Sequence, residues 1–356
     1  MSQAAIQLQG IGKSWGDHAV LKHIDLSIPE GQFTALLGPS GCGKSTLLRI
    51  IAGLEQPTTG RLLIDGQDAT YQEPAQRGLT MVFQSYALFP HLSVAHNILF
   101  GLQVRRVSKA DQHKRLQEAL ALTNLEGLEH RRPAQLSGGQ RQRVALARSI
   151  VSGHRICLMD EPLSNLDAKL RHSVRHEIRA LQQRLGLTVV YVTHDQTEAM
   201  GMADQVVLLN AGSIAQQGSA QELYQEPNSM FTAGFIGSPP MMLIHSDFVP
   251  LSLWPTRYGF DLPHRVSIGV RPEQLQLHEP TPESVGVTVV HHEFQGADAY
   301  VYVRLKDGNT LIVRAPHSRR FMAGERCGLS WNPAHAFYFS QDTGARLQLA
   351  SPVLAD

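Results

Sequence analysis

Hydrophobic positions in the first two-thirds of the chain follow two rhythms, short continuous runs and residues spaced by three or four. Two alternating segments lead into Phe33-Thr34-Ala35-Leu36-Leu37, which reads as a buried strand. Lys44 to Ala52 reads as a helix ended by Gly53, because glycine takes the left-handed conformation beyond a helix at little cost. Residues 109–150 are polar and helix-rich, as expected of an inserted helical subdomain spanning about 88–155. Ile156-Cys157-Leu158-Met159 is short and wholly apolar, the pattern of a parallel strand covered on both faces. Leu166, Leu170, Val174, Ile178, Leu181 and Leu185 then recur at helical spacing, closed by Gly186. Another apolar strand, Thr188 to Val192, follows, and Asp195 with Glu198 has the spacing of a capping box. This alternation predicts an α/β domain with a mainly parallel sheet and helices on both faces.

The pattern changes near Phe235. Gly237-Ser238-Pro239-Pro240 reads as a linker, and beyond it the strand-sized runs are Arg265–Val270, Val285–Val290, Tyr300–Leu305 and Leu311–Val313. Asp307-Gly308 marks a turn between the last two. The expectation is a first domain over 1–236 and a small all-β, OB-like barrel or sandwich over 237–356. A length of 356 residues suits two domains, and 42% hydrophobic with 18% charged residues excludes a disordered chain. The net charge of +1 offers no electrostatic footprint for nucleic acid. Three scattered cysteines without a C-x-x-C exclude a disulfide framework or zinc ribbon and suit a reducing compartment. Met1 to Ala5 lack the basic flank and apolar core of a signal peptide, and no apolar run approaches the ~18 residues of a membrane span.

Gly38-Pro39-Ser40-Gly41-Cys42-Gly43-Lys44-Ser45 matches the phosphate-binding pattern G-x-x-x-x-G-K-[ST], with a strand before it and a helix after it. Backbone N–H groups at a helix N-terminus hold anionic oxygens, so Gly38, Ser40, Gly41, Cys42, Gly43 and Thr46 are candidate phosphate-loop contacts to ATP. Lys44 would reach the β and γ phosphates, and the Ser45 hydroxyl would ligate Mg²⁺. Asp160-Glu161 should emerge at the carboxyl end of its strand facing this loop. Asp160 suits a Mg²⁺ holder, acting through water, and Glu161 a general base for the attacking water. Leu136-Ser137-Gly138-Gly139-Gln140 should open another helix, a second anion-friendly N-terminus. One phosphate loop already serves the chain's own nucleotide. Ser137 and Gly139 are therefore expected to grip ATP on another subunit, in a two-fold homodimer with two sandwiched nucleotides. Cys42, in the loop at a helix N-terminus, is expected to be open to electrophiles, with maleimide inactivating the protein and ATP protecting it.

The order phosphate loop, Gln84, Leu136–Gln140, Asp160-Glu161, His194 resembles the ATP-binding subunit of an ATP-binding-cassette (ABC) transporter. The resemblance implies that His194 contacts the γ phosphate and orients Glu161, and that Gln84 joins the Mg²⁺ shell and senses the membrane partner. It implies that Asp167, in Ser164-Asn165-Leu166-Asp167, couples the two nucleotide sites across the dimer, and that Trp15 stacks on adenine. Tyr86 to Leu92 resembles the segment that receives the coupling helices of two permease subunits, themselves served by a periplasmic or extracellular solute-binding protein. The implied location is peripheral, on the cytoplasmic face of a bacterial inner membrane. Phe235–Met241 and Gly269-Val270-Arg271-Pro272-Glu273 resemble importer ATPases for carbohydrates and related solutes, the sn-glycerol-3-phosphate type first, then maltose or another sugar or polyol. Met242 and His154 depart from that pattern. The rival class is a non-transport ABC ATPase acting on nucleic acid or ribosomes. Against it stand a single cassette and only about fifty residues, without sustained heptads, between Gln84 and Leu136. The OB-like domain shows no concentrated basic face or aromatic platform for nucleic acid.

Overall fold

The first strands alternate because one face of each is covered. β1 (Ala4–Trp15) and β2 (His18–Pro29) pair antiparallel and turn Ile6, Leu8, Ile24, Leu26 and Ile28 inward. The computed structural model describes residues 4–254, 265–316 and 319–348, which fall into two compact units, Met1–Ala220 and Gln221–Asp356. The first three residues, and 255–264, 317–318 and 349–356 of the C-terminal segment, lie outside the described residues.

In the first unit β3 (Phe33–Leu37) is buried throughout, and α1 (Lys44–Ala52) follows it, ended by Gly53 at φ 79°. β4 (Thr59–Ile64) and β5 (Gln67–Asp68) complete an antiparallel sheet in the order β2-β1-β4-β5. β6 (Leu79–Val82) is followed by α2 (Val94–Val104), α3 (Lys109–Leu122) and α4 (Gly138–Val151), whose Ile98, Leu120 and Val144 belong to one apolar cluster. Then come β7 (Ile156–Asp160), α5 (Ala168–Leu185), β8 (Thr188–Val192), α6 (Gln196–Met202), β9 (Gln205–Asn210) and β10 (Ser213–Gly218). The second sheet runs β10-β9-β3-β8-β7-β6, parallel except for the β10 edge.

One face of that sheet buries Leu36, Leu158 and Val190 in a core shared with α1 and the antiparallel sheet. The other buries Phe33, Cys157 and Tyr191 with Val174 and Ile178 of α5. Helices therefore lie on both faces, as the pattern predicts; the antiparallel sheet beyond α1 is an addition that strand–helix alternation does not indicate. Helix α5 starts at Ala168, two residues later than its first apolar position, because the Asp167 carboxylate accepts from Leu170 N at 2.9 Å. The expected capping box at Asp195 and Glu198 does not form. Asp195 caps α6 through Thr197 N at 2.7 Å, but Glu198 turns inward and accepts from Tyr191 Oη (2.8 Å) and Thr193 Oγ1 (2.7 Å). Those two hydroxyls are buried and need an acceptor that water cannot supply.

From α7 (Ala220–Gln225), which begins at the boundary, the second unit holds α8 (Met230–Phe235) and, among the described residues, eight strands. β11 (Met242–His245), β12 (Val266–Val270), β13 (Gln276–His278) and β14 (Val285–Phe294) come first. β15 (Ala299–Arg304), β16 (Thr310–Ala315), β17 (Arg326–Ser330) and β18 (Phe337–Ser340) follow. They form antiparallel sheets β11-β12-β18 and β13-β17-β14-β15-β16 around one core containing Ile268, Val301, Leu329 and Tyr338. The larger sheet curls into a half-barrel, with a register shift between Val289 and His291 of the kind that bends a strand. Among the described residues no helix is long and apolar enough to cross a membrane.

Candidate functional site

Because β3, β8 and β7 are parallel neighbours, their carboxyl ends stand side by side. Such ends gather the polar groups of an open α/β sheet. The end of β3 runs into the phosphate loop, where a Cβ on Gly38 would lie 2.3 Å from the backbone oxygen of Leu209. Only glycine fits that approach. Lys44 opens α1, is buried, and donates to the Gly38 and Pro39 carbonyls, both at 2.8 Å. Ser40 and Gly41 form the exposed tip; Ser45 and Thr46 are half-buried in the first turn of α1.

The Ser45 hydroxyl donates to Asp160 Oδ1 at 2.8 Å, joining the start of α1 to the end of β7. Glu161 is left-handed (φ 42°), a costly conformation for this residue type, held by its N–H on Val192 O (3.1 Å) and by Ser164 Oγ on its own carbonyl (3.0 Å). Its carboxylate stands 3.3 Å from His194 Nδ1 and 3.5 Å from Gln84 Nε2. Phosphate-loop lysine, hydroxyl–carboxylate pair, glutamate, histidine and glutamine thus lie at the carboxyl ends of the strands. Ser45 and Asp160 are hard oxygen donors of the kind Mg²⁺ takes. No group of three His, Cys, Asp or Glu able to hold a metal occurs among the described residues, so a cation here would draw its remaining ligands from phosphate oxygens and water.

Ser137 to Gln140 are built differently. Ser137 Oγ accepts from Gln140 N (3.3 Å) and Gln140 Oε1 accepts from Ser137 N (2.9 Å), a reciprocal capping box at the start of α4. A Cβ on Gly139 would lie 3.0 Å from the methyls of Leu170, and one on Gly138 3.1 Å from Leu166. The glycines therefore let this helix start press onto the segment around Asp167. The hydrogen bonds of Ser137 and Gln140 stay within the start of α4, and the glycines face Leu166 and Leu170. Trp15 stands on the surface, 49% exposed, with Lys13 Nζ 5.2 Å from its ring centre. Cys42 corrects an expectation: the residue is only 4% exposed, with its Sγ 3.8 Å from Lys44 Nζ, because the loop folds it against the Gly38 turn.

Three side chains hold Gln84 and the loop after it, and two of them, Asn97 and Arg148, lie outside any motif. Asn165 donates to Gln84 O at 2.9 Å. Asn97 of α2 accepts from Phe89 N (2.8 Å) and donates to the carbonyls of Phe89, Leu92 and Ser93. Arg148 of α4 donates to the carbonyls of Tyr86 and Ala87.

A family model for the ABC transporter matches residues 21–164, and one for the TOBE domain matches 268–339. The chain is 42% identical to the sn-glycerol-3-phosphate import ATP-binding protein of Cupriavidus necator, over 97% of this chain and 100% of that protein. It is 44% identical to the Fe(3+) ions import ATP-binding protein of Escherichia coli O157:H7, over 84% of this chain and 87% of that one. Among solved structures, the dimeric bacterial ABC transporter cassette MJ0796 is similar at 33% identity and TM-score 0.54, covering 60% of this chain and 98% of that one.

Proposed function

Because the chain belongs to the ATP-binding subunits of ABC importers, we propose that it hydrolyses Mg-ATP between two copies of itself and drives two permease subunits with that cycle. The carrying observation is the Glu161 carboxylate set between His194 and Gln84, beside the Ser45–Asp160 pair. In this reading Lys44 neutralises the β and γ phosphates. Ser45, Asp160 and Gln84 would hold Mg²⁺, which draws charge from the phosphate oxygens. Water attacks the γ phosphorus, the bond to the ADP oxygen breaks, and Glu161 takes the water's proton. His194, whose side chain is exposed at these strand ends, meets the γ phosphate and keeps Glu161 aligned.

The second copy completes each site. Ser137 Oγ accepts from Gln140 N within its own helix, which leaves its hydroxyl proton for a phosphate oxygen across the interface. Gly138, Gly139 and Gln140 present the helix start, and Asp167, beside it, links the two sites. The exposed Trp15 ring supplies a flat face for the adenine. Such a dimer would act at the cytoplasmic face of a bacterial inner membrane, with an extracytoplasmic solute-binding protein supplying the solute.

For the solute we favour sn-glycerol-3-phosphate, on the near full-length similarity and the stretches Phe235–Met241 and Gly269–Glu273. The comparable identity to an iron importer subunit makes Fe(3+) the alternative to exclude, and maltose the next. Uptake of each labelled solute is measured in cells lacking this gene, restored with wild type or Glu161→Gln. Glycerol-3-phosphate uptake alone should disappear and return only with wild type, and purified Glu161→Gln should bind ATP while turning over about 10²–10⁴-fold more slowly. Unchanged glycerol-3-phosphate uptake rejects the solute; wild-type turnover in Glu161→Gln rejects the mechanism.

A further inference from the structure

Gln84 leads into a loop whose backbone is strained at two successive positions. Tyr86 and Ala87 are both left-handed, at φ 64° and 45°, and two successive non-glycine residues in that region need something to hold them. The Tyr86 hydroxyl does not do so: it is buried without a hydrogen-bond partner. What holds the turn is the Arg148 guanidinium, donating from Nη1 to Ala87 O (2.7 Å) and from Nη2 to Tyr86 O (2.9 Å). Arg148 makes no ion pair among the described residues, although burial lowers its pKa from the ordinary arginine value. A desolvated cation without a carboxylate is costly, and here the two carbonyls are its compensation.

The helix that carries Arg148 is the one that starts with Ser137–Gln140. The Gln84 carbonyl is tied separately, by Asn165, to the segment leading to Asp167. Gln84 is therefore suspended between two elements; the planar fork of Arg148 is the hydrogen-bonded link to α4, beside the Tyr86 side chain, which is buried in one apolar cluster with Ala145 and Leu146 of that helix.

We propose that Arg148 is a positioning residue for Gln84: by clamping the two left-handed residues after it, Arg148 makes the place of Gln84 beside Glu161 follow the position of α4. The proposal rests on the reading above that Gln84 serves ATP hydrolysis. In such a device, a shift of α4 that brings its phosphate-binding start toward or away from a partner's nucleotide carries the turn with it. Gln84 then approaches or leaves Glu161 without any further signal.

The test is steady-state ATPase of the purified full chain in wild type, Gln84→Ala, Arg148→Ala, the double variant, and Arg148→Ala with Ala87→Gly. Arg148→Ala should lower kcat about tenfold with KM for ATP unchanged, a size expected for a displaced catalytic group. The double variant should be no slower than Gln84→Ala, because both changes remove the same function. Ala87→Gly should restore part of the lost kcat, since glycine holds the left-handed turn without a clamp. A merely structural role predicts the opposite: effects that multiply in the double variant and no rescue by glycine. Either result overturns the proposal, as does wild-type kcat in Arg148→Ala when Gln84→Ala is impaired. If Arg148→Ala does not fold, Arg148→Lys carries the same comparisons, because an ammonium lacks the fixed fork that spans two carbonyls. Should Gln84→Ala itself turn over like wild type, the functional reading of Gln84 is what fails, and the proposal falls with it.

Discussion

Arg77 and Arg148 are both desolvated guanidiniums spent on backbone carbonyls, yet they hold different things. Arg77 donates to Ile50 O (2.7 Å), Ile51 O (3.0 Å), Gln72 O (2.9 Å) and Thr70 O (3.3 Å), closing the C-terminal end of α1. Those helix-end carbonyls are the negative pole of the helix dipole; Ile50 O also accepts from Gly53 N (3.1 Å), and Arg77 adds donors to it and to Ile51 O. Arg148 holds the carbonyls of a strained turn that no helix requires. The same chemistry stabilises where the carbonyls belong to one core, and positions where they belong to a loop next to reacting groups. Arg271, in the second unit, is of the first kind. It donates to Tyr224 O (2.7 Å) and Ile236 O, and its guanidinium lies 3.9 Å from the centre of the Tyr224 ring.

The contrast breaks most readily at Arg77. Arg77→Ala should cost about 3 kcal/mol of unfolding free energy, since it leaves several buried carbonyls without a donor. Denaturant titration measures that loss, while kcat of the folded protein should stay at the wild-type value. A fall in kcat matching that of Arg148→Ala would erase the distinction. Arg271→Lys should cost less, about 1–2 kcal/mol, because the charge remains and only the fork and the stack on Tyr224 are lost. Its effect should appear in unfolding monitored within the second unit, with ATP turnover untouched.

The same corner predicts a pH dependence. Burial, and then the hydrogen bond to Glu273 (2.6 Å) and its charge, push the Tyr224 hydroxyl from 10.0 up to about 12. Between these values the unfolded chain loses the proton and the folded one keeps it. Stabilisation present below pH 10.0 is therefore lost as pH rises towards about 12. Tyr224→Phe should flatten that part of a stability–pH curve; an unchanged slope would assign it to another group. The smallest expected effect is Ala87→Gly alone, a gain of about 0.5–1 kcal/mol from relieving one left-handed residue. A loss on thermal unfolding would mean that the turn is not strained against the clamp.

Much of the first unit was legible because burial on both faces leaves few choices. β3, β7 and β8 are apolar at nearly every position, α1 and α5 end at glycines in the left-handed conformation, and the phosphate loop sits between a strand and a helix. The misread features share a cause. Asp195 and Glu198 have capping-box spacing, but the hydroxyls of Tyr191 and Thr193 compete for Glu198 from inside the core. Cys42 lies in a glycine-rich loop that reads as open, yet the loop folds its side chain against Gly38 and the residue is buried. Arg148 left no trace, because its partners are main-chain oxygens 61 and 62 positions away, and carbonyls carry no side-chain signature.

Which groups can do chemistry, and how each sits within its own strand, turn or helix, follows from the order of residues alone. That much is local: a glycine loop before a helix presents N–H groups wherever the helix goes, and a carboxylate after an apolar strand emerges at its end. Which strand ends became neighbours was set by folding, through the order β3-β8-β7. Folding also decided that Glu161, at 23% side-chain exposure, faces His194 and Gln84 while Glu198, at 5%, is locked among core hydroxyls. The physical reason is that a carboxylate's role depends on the donors and the water around it, and residues distant in the chain supply both.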